Sequence, residues 1–156
     1  MIRILAILTG LAWLPLALAL GSGPARPAQM LYQQGIAQFQ SGHFQEAVEE
    51  LRQAVRLAPG NARYHDALGR AYGRVAQRAG WIHAMLLAVK TRKEFEKAVH
   101  LDGTNVEALR DLMQFYRQAP GILGGSDRKA DALQQRISEL AGARTTASIS
   151  QGSIAH

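Results

Sequence analysis

The chain has 156 residues, 47% of them apolar, which is enough for one compact domain and hardly enough for two. It has no cysteine, which excludes disulfides, thiolate metal sites and a thiol nucleophile. Its 18 Lys and Arg residues against 12 Asp and Glu residues give a net charge of +6, which favours anionic partners without naming one.

The N-terminus follows the order of a secretory signal. Arg3 precedes an apolar run over residues 4–20, and small, turn-prone residues come next. Cleavage is expected after Ala19 or Gly21, which follow the small-residue pattern of a signal peptidase site. The run is also nearly long enough to span a bilayer, so an uncleaved anchor formed by residues 4–20 is the alternative. We therefore expect residues 1–28 to be a signal peptide or an anchor, and the protein to be exported and periplasmic.

The middle of the chain has helical spacing of apolar residues, and part of that spacing recurs at a period of about 34 residues. The three copies cover about residues 28–61, 62–105 and 106–141. The first includes "GHFQEAVEELRQAVRLAPGN", and the second includes "YHDALGRAYG" and "FEKAVHLDGTN". The recurring positions of the first two copies are Gly35, Ala47, Leu51, Ala54, Pro59, Leu68, Gly69, Tyr72, Phe95 and Ala98.

This pattern resembles the tetratricopeptide repeat (TPR), in which a helix with a Leu-Gly-x2-Tyr core precedes a helix with Ala, Phe and Pro positions. The resemblance covers about residues 29–141 and implies an all-α, TPR-type α-solenoid of about three helix-turn-helix repeats. The chain also looks like small exported bacterial TPR proteins, which share its extended second repeat and its "APG…GG" loop. Residues 142–156 are polar, small and without periodicity, so we expect a flexible tail.

The second copy is longer than one period, because the spacing from Ala54 to Ala98 exceeds the repeat length. Gly80 is the expected turn, and both helices of this pair are expected to be longer by about a turn each. In the third copy, the glycine loop 120–126 is interpreted as a chain turn, with Pro120 ending one helix and Ser126 capping the next. It lacks the strand and the Gly-Lys-Ser/Thr order of a Walker loop, and anion binding at its amides is the remaining alternative.

Residues that carry chemistry are sparse. The five histidines show no metal-ligand spacing, and no nucleophile elbow is present. We therefore expect neither an enzyme nor a cofactor or metal site, and an enzyme acting on a small anion is the last alternative.

The resemblance implies a concave groove lined by the first helix of each pair. Arginine presents a planar fork of donors that suits carboxylates. We therefore expect a non-catalytic module that binds an acidic or carboxylate-bearing peptide or partner segment, and not a nucleic acid; a solvated basic face is the alternative. The resemblance also implies which positions line the groove, namely the second, fifth, ninth, twelfth and thirteenth of each repeat, counted from Ala28, Ala62 and Val106. This groove register includes Gln29, Asp66, Gly73, Glu107 and Gln118. The candidate groove residues are Tyr32, Ile36, Phe39, Gln40, Arg63, Arg70, Arg74, Arg110, Gln114 and Arg117.

The stretch "WIHAMLLAV", residues 81–89, is apolar nearly all round a helix. We expect one side, Ile82, Met85, Leu86 and Val89, to pack within the pair. The other side, Trp81, Ala84, Leu87 and Ala88, is expected to lack cover there. That side is either buried by the rest of the chain or exposed as a contact surface. The alternative function is therefore a structural accessory subunit that docks through an elongated 70–90 hairpin.

Overall fold

The computed structural model describes the backbone of residues 25–152 and the side chains of residues 26–145. Most of the predicted signal segment and the end of the predicted tail lie outside these residues. The described chain contains no strand, and it forms three successive helix pairs, so the predicted all-α solenoid is confirmed. The helices are α1 (Ala25–Gln40), α2 (Phe44–Leu57), α3 (Ala62–Ala76), α4 (Trp81–Leu101), α5 (Val106–Gln118) and α6 (Asp127–Gly152), with a 3₁₀ turn (Gly121–Leu123) before α6.

Asparagine begins the first helix of the second and third pairs. The Asn61 side chain accepts a hydrogen bond from the Arg63 amide (3.1 Å), and Asn105 accepts from the amides of Glu107 (3.1 Å) and Ala108 (3.3 Å). These bonds satisfy amides that have no partner within the first turn of a helix. Each odd-numbered helix then packs against the next helix, and α2–α3 and α4–α5 contacts join the pairs.

Two glycines set the distance between paired helices. A Cβ at Gly35 would lie 2.6 Å from Cγ of Leu51, and a Cβ at Gly69 would lie 2.7 Å from the Phe95 ring. Leu51 and Phe95 are themselves buried. The large side chain on the second helix therefore occupies the space that the glycine leaves on the first, with the density typical of protein interiors.

The insertion of the second pair lies almost entirely in α4. This helix has 21 residues against 14 in α2, whereas α3 has 15 and α1 has 16. The expectation that both helices are longer is therefore wrong. The turn after α3 is held on the α1–α2 turn, because Arg78 Nη1 donates to the Gly42 carbonyl oxygen (3.3 Å), and the extra residues extend α4 from Gly80 onward.

The glycine loop reverses the chain between α5 and α6. Ala119 is extended (φ −76°, ψ 142°), Gly124 has φ +96°, and a Cβ at Gly125 would overlap the Ala119 carbonyl oxygen. The amides from Leu123 to Ser126 all donate to backbone carbonyls, and Ser126 Oγ accepts from the Lys129 amide (3.4 Å). These four amides of the loop are therefore used within the chain.

The predicted flexible tail begins inside a helix. Helix α6 continues to Gly152, so residues 142–152 are helical where the sequence predicted no regular structure. This part of the chain contains no proline, the residue that most strongly interrupts a helix. Within residues 25–152, no helix combines the length and the hydropathy needed to cross a membrane.

Candidate functional site

Two adjoining hollows lie along the first helices of the pairs. One, of about 470 Å³, lies between α1, the α1–α2 turn and α3, and includes Ile36, Gln40 and Phe44. The other, of about 400 Å³, lies between α3, α4, α5 and the glycine loop. They share Phe39, Arg70 and Arg74, so we treat them as one groove.

Arg70 stands at the centre of the groove and is already neutralised. Its guanidinium lies 2.7 Å from Oε1 of Glu107, 3.8 Å from Oδ2 of Asp111 and 4.0 Å from Oδ2 of Asp66. It also lies 5.6 Å from the centroid of the Phe39 ring. Arg70 therefore joins the second repeat to the third and is not a free cation for a ligand.

Three carboxylates lie around the single positive charge of Arg70. The Asp66 side chain is 8% exposed, and its Oδ1 has no hydrogen-bond partner. Burial, followed by repulsion from Asp111, raises the pKa of Asp66 to about 7. Burial likewise raises the pKa of Asp111, although Arg70 opposes that shift. The centre of the groove is therefore acidic at and above neutral pH.

Sequence reasoning missed Asp111. It lies one turn after Glu107 on α5, at i+4, and this spacing is the signal that could have placed both carboxylates on one helix face. That they converge on Arg70 of α3 depends on the packing of two repeats, which the spacing within one helix does not give.

Free positive charge lies at the other end of the groove. The guanidinium carbons of Arg74 and Arg78 lie 4.9 Å and 4.5 Å from the centroid of the Phe44 ring. Neither forms an ion pair with any described residue, and Phe39 packs at 5.2 Å against Phe44. Arg78 lies beyond the groove register used in the sequence analysis and was missed. Two arginines stacked on an aromatic ring can still donate hydrogen bonds in their planes.

The other predicted groove residues do not converge there. Tyr32 stacks on Tyr64 (4.8 Å between centroids), with Arg63 5.8 Å from the Tyr32 centroid. Arg110 and Arg117 line a separate hollow between α5 and α6, which Gln114 joins to the groove. Arg117 also pairs with Asp131 (3.1 Å). Of the five arginines predicted to face the groove, Arg70 and Arg74 line its two hollows.

The exposed face of α4 differs from the predicted one. Leu87 is 5% exposed and packs in the cluster that contains Leu51, Leu68 and Tyr72. The prediction that Leu87 lacks cover within the pair is therefore wrong. Trp81 is exposed, Ala84 and Ala88 are half-buried, and Ile82 and Leu86, which were expected to face inward, are exposed. The helix is rotated about its own axis relative to the prediction, because its buried stripe runs through Leu87, Thr91, Phe95 and Ala98.

Outside these hollows, the side chain of one histidine contacts a carboxylate. Nδ1 of His65 lies 2.6 Å from Oε2 of Glu94, and Nε2 lies 2.9 Å from the Pro59 carbonyl oxygen. Both ring nitrogens are therefore occupied by structural bonds, and neither is available to exchange a proton with a substrate. Within the described part of the chain, no group of three or more His, Asp and Glu residues is arranged to hold a metal ion.

Comparisons with known proteins agree with this geometry. Residues 28–61, most of α1 and all of α2, match the family model of the tetratricopeptide repeat. The crystal structure of MamA aligns with a TM-score of 0.60 at 20% sequence identity, covering 76% of this chain and 61% of that one. The fold is a TPR α-solenoid. At this identity the likeness is one of fold, and the chain spans about three-fifths of the MamA structure.

The TPR domain of Arabidopsis OM64 aligns at 17% identity with a TM-score of 0.48, covering 75% of this chain and 98% of that domain. A comparison with curated proteins found no match. Stacked helix pairs of the TPR type form scaffolds for protein–protein interaction, because the stacking creates an extended concave surface.

Proposed function

We propose that this TPR protein is a non-catalytic interaction module that holds an acidic, partly apolar segment of a partner protein. The observation that carries the proposal is the placement of Arg74 and Arg78 over Phe44 without a carboxylate partner among the described residues. A carboxylate of the partner would receive paired hydrogen bonds from a guanidinium. Ile36 and Phe39, in the same hollow, would pack against the adjacent apolar side chain of the partner.

The acidic residues of the partner would lie at this end only. Asp66, Glu107 and Asp111 surround Arg70 and repel a carboxylate from the centre of the groove. The proposed ligand is therefore narrower than an acidic peptide spread along the whole groove. Its charge is concentrated within reach of Arg74 and Arg78, and the part that crosses toward α5 is neutral or basic.

We also propose that the protein works outside the cytoplasm, in the periplasm. Arg3 and the apolar run 4–20 support this proposal, with an anchor formed by the same residues as the alternative. Helix α1 begins at Ala25, so cleavage after Ala19 or Gly21 would leave it complete, including Ala28, which is buried with Ala54 and Tyr64. N-terminal sequencing of the native protein tests the proposal, because recovery of Met1 from a membrane fraction would favour the anchor.

The test of the groove uses peptides of one length and one apolar content whose charged positions are all Glu, all Gln or all Lys. We expect fluorescence anisotropy at physiological salt to show binding of the Glu series alone. Arg74→Glu with Arg78→Glu should abolish this binding. Arg110→Glu with Arg128→Glu makes the same change of charge away from the Phe44 hollow and should preserve it.

Arg70 is left unchanged in this test, because Arg70→Glu would place a fourth carboxylate beside Asp66, Glu107 and Asp111. If no Glu peptide binds, or if the control pair loses binding equally, the groove does not hold an acidic segment.

A further inference from the structure

A second surface lies outside the groove, on the N-terminal half of α4. Trp81 is 74% exposed, Ile82 is 59% exposed and Leu86 is 62% exposed. Large apolar side chains gathered at one end of a helix are typical of contact surfaces, whereas scattered ones are not.

The rotation of α4 keeps its partner helix from covering this surface. Leu87 and Thr91 face the interior, and Ile82 and Leu86 lie on the opposite side of the helix. Trp81, Ile82 and Leu86 line neither the groove nor the hollow of about 460 Å³ between α2, α3 and α4, so the apolar part of the surface has no pocket there for a partner's side chain. A rigid protein partner would have to supply all of the shape complementarity.

Cations of α4 lie beside this surface. From Trp81 to Lys93 the helix contains no acidic residue, and its charged residues there are Lys90, Arg92 and Lys93. Lys90 also faces α2 and α3, because its Nζ lies 5.6 Å from the centroid of the Tyr72 ring and it lines a hollow with Glu46 and Glu49. The first acidic residues of α4 are already engaged, Glu94 with His65 and Glu96 with Tyr116 (2.8 Å) and Arg92 (3.4 Å).

The cations follow the apolar residues closely along α4. Lys90 lies one turn beyond Leu86 and Lys93 two turns beyond it, and both are exposed. An occupant that is apolar next to Leu86 and negatively charged next to Lys93 and the exposed side of Lys90 would match both features.

We propose that this α4 surface, formed by Trp81, Ile82, Leu86, Lys90 and Lys93, docks on the headgroup region of an anionic lipid bilayer. A bilayer is fluid and conforms to a surface that has no pocket. Tryptophan is enriched at the membrane interface, and helices that lie on membranes combine such apolar residues with lysine and arginine. Anionic headgroups attract the cations beside them. This docking is independent of the groove, so either role could fail while the other stands.

The experiment uses the full chain and the fluorescence of Trp81. The chain contains two tryptophans, so Trp13→Phe leaves Trp81 as the single reporter. The apolar run 4–20 could bring the chain to any vesicle, but the signal of Trp81 reports only on α4. The protein is mixed with vesicles of phosphatidylcholine alone, or of phosphatidylcholine with phosphatidylglycerol, each with or without bromine on the acyl chains.

We expect the emission of Trp81 to shift to the blue and to be quenched by bromine only in vesicles with phosphatidylglycerol. Raising the salt concentration should weaken both effects. Lys90→Glu with Lys93→Glu, in the Trp13→Phe background, should remove them, whereas Arg110→Glu with Arg128→Glu should not. Ile82→Ser with Leu86→Ser should reduce the quenching several-fold while helicity and thermal melting stay unchanged.

Unshifted emission with phosphatidylglycerol, or equal quenching by both kinds of vesicle, would overturn the proposal. So would a concentration-dependent blue shift without lipid that accompanies dimers in sedimentation equilibrium, because a second copy of the chain would then cover α4. If the Glu peptides changed the emission of Trp81 in the absence of lipid, the surface would instead be assigned to an acidic protein partner.

Discussion

His65 and Glu94 connect the two helices of the second pair through a contact of 2.6 Å between Nδ1 and Oε2. The other ring nitrogen lies 2.9 Å from the carbonyl oxygen of Pro59, in the turn before α3. Burial disfavours the charged ring, but the hydrogen bonds to Glu94 and Pro59 outweigh it and raise the pKa of His65 above 6.5. The doubly protonated ring, which donates to both oxygens, is therefore favoured in the fold.

Because its pKa is raised on folding, His65 contributes most stability below about pH 6.5, and this contribution is lost as the pH rises through the folded value. We predict that His65→Gln lowers the free energy of unfolding by about 1–3 kcal/mol near pH 6 and by less near pH 9. Urea unfolding at the two pH values measures the difference. The exposed His43, with His43→Gln, is the control and should show little change at either pH. An equal loss at both values would mean that the protonation of His65 does not matter.

Asp66 carries a pH dependence of a different origin. Its pKa rises from 3.8 to about 7 on folding, so the stability provided by its neutral form is lost as the pH rises from about 4 through about 7. We predict that Asp66→Asn gains stability relative to the natural protein over this interval and is more stable by at least about 1 kcal/mol near pH 8. Urea unfolding across the interval tests it. A loss of stability that is the same near pH 5 and near pH 8 would show that the ionised Asp66 is a well-compensated partner of Arg70.

Asp102 should behave in the opposite way. Hydrogen bonds from Thr104 lower its pKa, so its contribution is present above 3.8 and is lost as the pH falls through the folded value. Asp102→Asn therefore serves as the control of opposite sign for Asp66→Asn.

The close approach of α3 and α4 predicts unequal effects for two glycines one turn apart. A Cβ at Gly69 would meet the Phe95 ring at 2.7 Å, whereas a Cβ at Gly73 would meet Cγ2 of Thr91 at an ordinary 3.7 Å. We predict that Gly69→Ala destabilises the fold by about 1–3 kcal/mol, because Phe95 is buried and cannot withdraw. Gly73→Ala should instead stabilise it by up to about 1 kcal/mol through helix propensity. Thermal melting of the two variants would contradict the argument if both changed alike.

The helix pairs were predictable because their signals are local. The proline after α5 and the recurring Gly69 and Phe95, which meet between α3 and α4, each act within one pair. The distribution of the insertion was not predictable in this way. Extra residues around Gly80 are compatible with lengthening either helix. In the structure they lengthen α4, and the turn before α4 is bonded to another pair through Arg78 and Gly42.

The groove was predictable only in part, because its charge depends on contacts between repeats. The first-helix register does bring Phe39, Arg70 and Arg74 together. The same register cannot show that Glu107 and Asp111 neutralise Arg70, since these residues belong to a different repeat. The state of each arginine is therefore a property of the packed solenoid and not of one helix.

Adjacent leucines on α4 provide the sharpest test of its rotation. Leu87 is 5% exposed and packs with Leu51, Leu68 and Tyr72, whereas Leu86 is 62% exposed. Leu87→Ala leaves a cavity in that cluster and should lower the free energy of unfolding by about 2–5 kcal/mol. Leu86→Ala removes the same atoms from a solvent-exposed position and should change it by no more than about 0.5 kcal/mol.

The two variants share composition and helix propensity, so urea unfolding with equal slopes isolates the burial of each side chain. If Leu86→Ala proved the costlier change, α4 would be rotated about its axis. Ile82 and Leu86 would then belong to the core, and the α4 surface proposed to meet lipid would not exist.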